Sequence, residues 1–272
     1  VELPLTPSDG ARRTPRPVLP LRPPREQTRR PLAAGLLVAR APGGSAEPPG
    51  DAEGSGADGA RAAAAGLVGP AHVRASDLER IITTQVGDDA GVFATLDVAP
   101  DELRAEPRVP VVRYLLTVSA DELDEALALD APGPVAVAVR GGGITVRECA
   151  ERAAAAGRSM VLPTGADAGD VADFQSSFVH SDAGYLAEAD DAAGVVRVLA
   201  CAVAGISGAD VRAAFDRPDV ERLLALSDMA ADAVRQLLLG VLVPEPLAVA
   251  AELAALGFGT RGAAESVPDW YS

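Results

Sequence analysis

The sequence predicts an α/β fold on a parallel sheet: a (β/α)8 TIM-like barrel first, a doubly wound parallel sheet second. Three observations predict it. From about residue 76 onward, short apolar runs rich in Val, Ile and Leu alternate with helix-patterned stretches, and strands separated by helix-length crossovers must pair in parallel. The chain has 272 residues, 48% of them hydrophobic, which suffices for one large core at the size of single-domain barrels. Counting the runs gives about eight strands once Leu36–Arg40 supplies the first. Without the two weakest runs, Leu36–Arg40 and Ala209–Arg212, the remainder suits a five- or six-stranded doubly wound sheet.

The domain elements follow in order. Ile81–Gln85 and Gly91–Val98 are strand-like, and Pro100-Asp101-Glu102 then places proline and acids in a helical first turn. Val111–Val118 is β-branched and aromatic. Ser119 with Glu122 makes a capping box for a helix over Ala120–Leu129. Val135–Arg140 is a strand, Gly141-Gly142-Gly143 a turn, and Thr145–Ala156 a helix stopped by Gly157. Strands follow at Ser159–Pro163 and Ser177–His180. A long helix spans Glu188–Ala204, with Ala193, Val196, Leu199 and Val203 at helical spacing. Ala209–Arg212 is a last strand. Amphipathic helices span Asp219–Leu239 and Pro246–Ala255, the second ending at Gly257.

Upstream the composition changes. Residues 1–40 carry eight arginines against Glu2, Asp9 and Glu26, so they hold about +5 of a total of −15, leaving about −20 for the rest. They also hold Pro4, Pro7, Pro15, Pro17, Pro20, Pro23, Pro24 and Pro31, a density that opposes helix and sheet. Pro42 to Gly59 is rich in Gly, Ala, Ser, Pro and acids and reads as a linker. The expected organisation is a mostly disordered leader over residues 1–75 and an α/β domain over 76–272.

Composition excludes several functions. No lysine or asparagine occurs, so all 24 basic side chains are arginine. That removes P-loop and Schiff-base lysines, and asparagine from any oxyanion hole. The bias toward Ala, Gly, Arg and Pro is that of a high-GC bacterial coding sequence. The net charge of −15 opposes non-specific nucleic-acid or membrane binding by the body, and 3% aromatics leave few surfaces on which bases could stack. Cys149 and Cys201 form no C-x-x-C pair and read as buried thiols in a reducing cytoplasm. Arg29-Arg30 precedes an apolar run, as in twin-arginine export signals, but Arg40 cuts that run at about eight residues. Leu237–Val243 is too short to span a membrane. A cytoplasmic protein, free to form a homo-oligomer, is expected. No H-x-x-x-H, H-E-x-x-H or G-x-S-x-G pattern occurs, so no metal is expected and the cofactor stays unknown.

Both candidate folds place active residues at the carboxyl ends of strands. Those ends nominate His180, Asp182 and Asp97 as catalytic groups, an imidazole and two carboxylates able to move protons. For ligand binding they nominate Thr117, Thr164, Arg212 and Arg140 with Gly141, Gly142 and Gly143. Three glycines before a helix let backbone N–H groups approach an anion, and Arg140 adds a guanidinium fork. Val146 stands where the third glycine of G-x-G-x-x-G would be, so the loop is no dinucleotide fingerprint. The plainer readings are a tight turn for the glycines and a structural loop residue for His180.

Residues 188–233 run from an alanine-rich helix through Gly-Ala-Asp-Val-Arg to VERLLALSDMAADAV. This resembles the closing unit of the dihydropteroate synthase family, the pterin-binding barrels. The resemblance implies a (β/α)8 barrel, a pterin in its mouth and an anion contact at Arg212. Ala214 replaces the family's histidine, and its lysine and asparagines are absent. The expected function is therefore a degenerate or repurposed barrel binding a small anionic or pterin-like ligand, with synthase activity in doubt. The alternative is a non-catalytic regulatory or protein-binding α/β protein with a basic Pro-rich tether. The sequence leaves catalysis itself undecided.

Overall fold

The computed structural model describes residues 31–41, 63–80, 91–103 and 109–259. The run Ile81–Gln85 and most of the expected leader and linker lie outside these residues. Eight strands form one sheet: β1 (Leu37–Ala39), β2 (His72–Arg74), β3 (Val92–Thr95), β4 (Val111–Ser119), β5 (Val135–Arg140), β6 (Ser159–Leu162), β7 (Tyr185–Glu188) and β8 (Leu238–Val243). Two of them, β1 and β2, lie ahead of residue 76.

Every registered pair is parallel, and the order is β1-β8-β7-β6-β5-β4-β3-β2. β8 sits between β7 and β1. At the remaining seam Leu37 bridges Val68 in parallel, just ahead of β2. The Leu37 N–H donates to Leu67 O at 3.0 Å, and the Gly69 N–H donates to Leu37 O at 2.7 Å. The sheet thus returns on itself as a nearly closed eight-stranded α/β barrel. A doubly wound sheet would reverse its strand order at a switch point and keep two open edges; this order does neither.

The helices follow from local signals. α1 (Leu123–Ala128) follows the Ser119–Glu122 capping box, with one 3-10 turn between them. α2 (Val146–Ala155) starts at Thr145, which closes a second box with Glu148, and the chain turns out at Gly157 with φ 64°. α3 (Ala168–Phe178) is capped by Asp167 and α4 (Ala192–Ser207) by Asp191. α5 (Val211–Asp216), α6 (Val220–Leu224) and α7 (Asp228–Leu237) complete the crossover to β8, and α8 (Pro246–Ala255) ends the described chain. Among the described residues no helix is long and apolar enough to cross a membrane.

Several expected elements differ. Ser177–His180 is not a strand; Phe178 ends α3 and His180 lies in the following turn. Ala209–Arg212 is not a strand either, because the Asp210 carboxylate accepts from the N–H groups of Arg212 and Ala213 and starts α5. Glu188 ends β7 rather than opening α4. The expected helix Asp219–Leu239 divides into α6, α7 and the beginning of β8.

Two apolar clusters hold the barrel. The larger lies between strands and helices and includes Tyr114, Leu123, Phe174, Phe178, Tyr185 and Leu199. Phe174, Phe178 and Tyr185 stack with centroids 4.9–5.9 Å apart. The smaller cluster fills the barrel interior: Val38, Phe93, Leu115, Ala136, Ala138, Val161, Leu186 and Leu242. Residues two apart share a face, and alternate strands supply each layer of a barrel interior. Register then sorts the interior into tiers. Val38, Phe93, Ala136 and Leu186 form one, and His72, Leu115, Val161 and Leu242 the next toward the carboxyl ends. Above them lie Arg40, Thr95, Ala138 and Glu188. Apolar packing therefore plugs the middle, and the top tier turns polar. Each buried Leu or Val in the plug contributes about 1.5–3 kcal/mol.

Candidate functional site at the barrel mouth

The carboxyl-end face is built by strand alternation. On β5, VAVAVR turns Ala136, Ala138 and Arg140 inward, and Arg140 emerges above the small Ala138. Its guanidinium crosses to β7 and grips Glu188 through both carboxylate oxygens, with Nη1 to Oε2 at 3.0 Å. The partners differ in environment: the Glu188 side chain is 4% exposed and that of Arg140 46%. The Thr164 N–H, just past β6, also donates to Glu188 Oε2 at 3.3 Å. The hydrogen bond that Arg140 donates to Glu188 raises its already high pKa, so this cation is permanent.

The neighbouring strand ends add polar groups. Thr117 points inward from β4, since its register partner is Ala138, and it is exposed. Arg40, past β1, donates to Ala189 O at 2.6 Å and pairs with Asp190 at 2.7 Å. Its Nε is buried with no partner among the described residues. His72 on β2 is buried, with Nδ1 2.6 Å from Ala39 O and Nε2 2.7 Å from Thr95 Oγ1. Burial lowers its pKa, partly offset by the Ala39 hydrogen bond, so the ring is neutral near pH 7.

Other expected site residues are committed or elsewhere. Gly141 and Gly143 adopt φ of 91° and 105°, which explains glycine there, and a side chain at any of Gly141, Gly142 or Gly143 would meet nothing within 4 Å. The helix they lead into is already capped: the Thr145 N–H and hydroxyl donate to Glu148 Oε2 at 3.0 and 2.9 Å. The chain's own carboxylate thus occupies the α2 terminus where an external anion was expected.

Asp97 accepts from Ser76 N–H at 3.0 Å and Ser76 Oγ at 2.6 Å. Slight burial pushes its carboxyl up, and the Ser76 hydrogen bonds outweigh that and lower it overall. Asp97 ties the loop after β2 to the end of β3. His180 and Asp182 are exposed in the turn between α3 and β7. A turn that enters a strand lies at the amino-end face, opposite the mouth, so neither can join Arg140. Arg212 sits on α5, exposed, 4.0 Å from Asp173 of α3. Of the expected residues, Arg140, Thr117, Thr164 and the triple glycine share the mouth, whereas His180, Asp182 and Arg212 do not.

Sequence reasoning missed Arg40, His72, Thr95 and Glu188. His72 sits in a three-residue strand beside a Gly/Ala-rich stretch, too short for alternation to register. Glu188 follows Tyr-Leu-Ala but precedes Asp190-Asp191, so it reads as the first acid of a helix. The aromatic-aliphatic start of β7 was the available signal. Both thiols are buried, and burial raises Cys149 and pushes Cys201 up to about 12, which disfavours the thiolate. Among the described residues no group of His, Cys, Asp and Glu could hold a metal ion.

These features define the class, an eight-stranded α/β barrel with a polar mouth over an apolar plug. No protein-family model and no curated protein matches the sequence. Two solved structures are similar, both archaeal fructose-1,6-bisphosphate aldolases. One was determined with its catalytic lysine bound to the carbinolamine intermediate; it is 13% identical, with TM-score 0.38, over 83% of this chain and 94% of that one. The other is 14% identical, with TM-score 0.39, over 84% and 95%. At that level the likeness adds nothing to the barrel read from strand order.

Proposed function

We propose that the protein binds a small anionic ligand in the barrel mouth, held by Arg140. The observation that carries this reading is the Arg140–Glu188 pair. A buried carboxylate fixes an inward-facing, half-exposed guanidinium above the small Ala138. Thr117 and Gly141–Gly143 stand at the same carboxyl-end face, and Arg40 shares the tier of Ala138. Both Nη groups already donate to Glu188, so a phosphate or carboxylate would be met by the Nε–H and the remaining Nη hydrogens of the fixed guanidinium.

The narrower pterin reading relied on a strand ending at Arg212, and α5 occupies that segment. It survives only as a competing ligand in the test. Binding is proposed, without an assigned reaction.

Titration calorimetry of the purified chain with inorganic phosphate, glycerol 3-phosphate and a pterin carboxylate tests this. Saturable binding of a phosphate is expected. Arg140→Met should weaken it roughly 10- to 100-fold, the value of a charge-assisted hydrogen bond. Binding of the pterin alone would favour the narrower reading. No binding of any of the three at millimolar concentration would overturn the proposal.

A further inference from the structure

We propose that Thr95 offers the mouth a hydrogen-bond acceptor, so that the ligand held at Arg140 also carries a hydroxyl: a hydroxylated anion such as a polyol phosphate or hydroxy acid. This rests on the anion-binding reading above and narrows it. The argument begins at Ala39. Its carbonyl oxygen can only accept, so His72 Nδ1, 2.6 Å away, must carry the proton. In the neutral ring Nε2 then holds a lone pair. Thr95 Oγ1 lies 2.7 Å from it, so the threonine proton is spent on the imidazole. What Oγ1 has left is lone pairs.

The charges around the imidazole favour the neutral form. Arg74 stands on its own strand, exposed, and Arg40 directly follows Ala39 of β1; both oppose a further positive charge. Phe93 and Leu115 pack in the adjoining positions of β3 and β4 without charge. Asp97, past β3, is turned to Ser76, and Glu188, in the tier above, is held by Arg140.

Thr95 belongs to the top tier with Ala138, Arg40 and Glu188 and is partly exposed. An acceptor there repels phosphate oxygens and attracts an O–H. The charged end of a ligand is therefore directed to Arg140 and its hydroxyl end to β3. His72 acts as a positioning residue, because it sets the polarity of Thr95 without reaching the ligand.

The test compares glycerol 3-phosphate with n-propyl phosphate, which share the anion and differ in hydroxyls. The wild-type chain should prefer glycerol 3-phosphate by roughly 3- to 10-fold, the range of one neutral hydrogen bond. Thr95→Val should erase the preference, lowering affinity for glycerol 3-phosphate more than affinity for propyl phosphate. With two histidines in the chain, ring 15N spectra give two signals sets, and His72 should show protonated Nδ1 and bare Nε2 at pH 7.5. Equal affinity of the wild type for both phosphates would overturn this inference and leave the anion site standing. So would a preference that survives Thr95→Val, or an Nε2–H ring at His72. Binding of neither phosphate would remove the anion site and this inference with it. The spectra need no variant, so poor folding of Thr95→Val would not shield the idea.

Discussion

Removing Arg140 should destabilise the barrel more than removing the charge of Glu188, although both changes break the same pair. The reason lies in unequal burial. Glu188 is 4% exposed and Arg140 46%. Arg140→Met strands a buried carboxylate that keeps one 3.3 Å hydrogen bond, from the Thr164 N–H. Breaking a buried pair this way costs about 3–5 kcal/mol. Water already reaches half of the arginine, so about 2–3 kcal/mol is the expected loss. Glu188→Gln strands a guanidinium that rehydrates, and glutamine keeps the shape and one acceptor, so about 1 kcal/mol is expected. Urea denaturation at pH 7 for both single variants and the double variant completes a cycle, with coupling of about 1–2 kcal/mol. Equal losses, or a larger loss from Glu188→Gln, would refute the assignment of the carboxylate as the buried, dependent partner.

Two further outcomes follow from the buried polar groups. Burial holds His72 below its ordinary 6.5, so between 6.5 and its lowered native value the unfolded chain binds a proton that the native chain does not; stability falls as pH drops through that window and is unaffected above it. The gap in urea midpoint between wild type and His72→Gln should therefore narrow from pH 7.5 to pH 5, and a constant gap would contradict the buried neutral ring. Tyr185 and Gln175 share a buried 2.7 Å hydrogen bond between β7 and α3, so Tyr185→Phe should cost about 1–2 kcal/mol, and a loss under about 0.5 kcal/mol would mean that the glutamine re-pairs.

The barrel was legible because most of its signals are local. VVRYLLTVS with Ser119 and Glu122, and VAVAVR with Thr145 and Glu148, carry strand, cap and helix within about twenty residues each. The other half was harder. α7 passes into β8 between Leu237 and Leu238 with no proline or glycine between them. LLLGVLV is apolar at both periodicities, so only pairing with β1 and β7 decides that it is strand. Asp-Val-Arg at 210–212 fits a short strand equally well as a capped helix, and Asp210 decides for the helix by accepting two backbone N–H groups. The site followed the same division. Arg140 ends an unmistakable strand, so its place at the carboxyl-end face could be read from the sequence. His180 was placed by a strand that is in fact the last turn of α3. Glu188 and His72 act through partners 48 and 33 residues away, distances over which no local pattern speaks.

The position of β8 bears on how the chain is made. Among the described residues it is the last strand in sequence, yet it lies between the first and the seventh, with Leu37 opposite Val241. During synthesis seven strands leave the ribosome before the one that joins their ends. Until then β1 and β7 both expose unsatisfied backbone N–H and C=O groups, the template on which chains stick to one another. A chain that stops between β7 and β8 leaves both rims open. Closure therefore waits on Leu238–Val243, and a chaperone that shields both rims until then would protect the nascent protein.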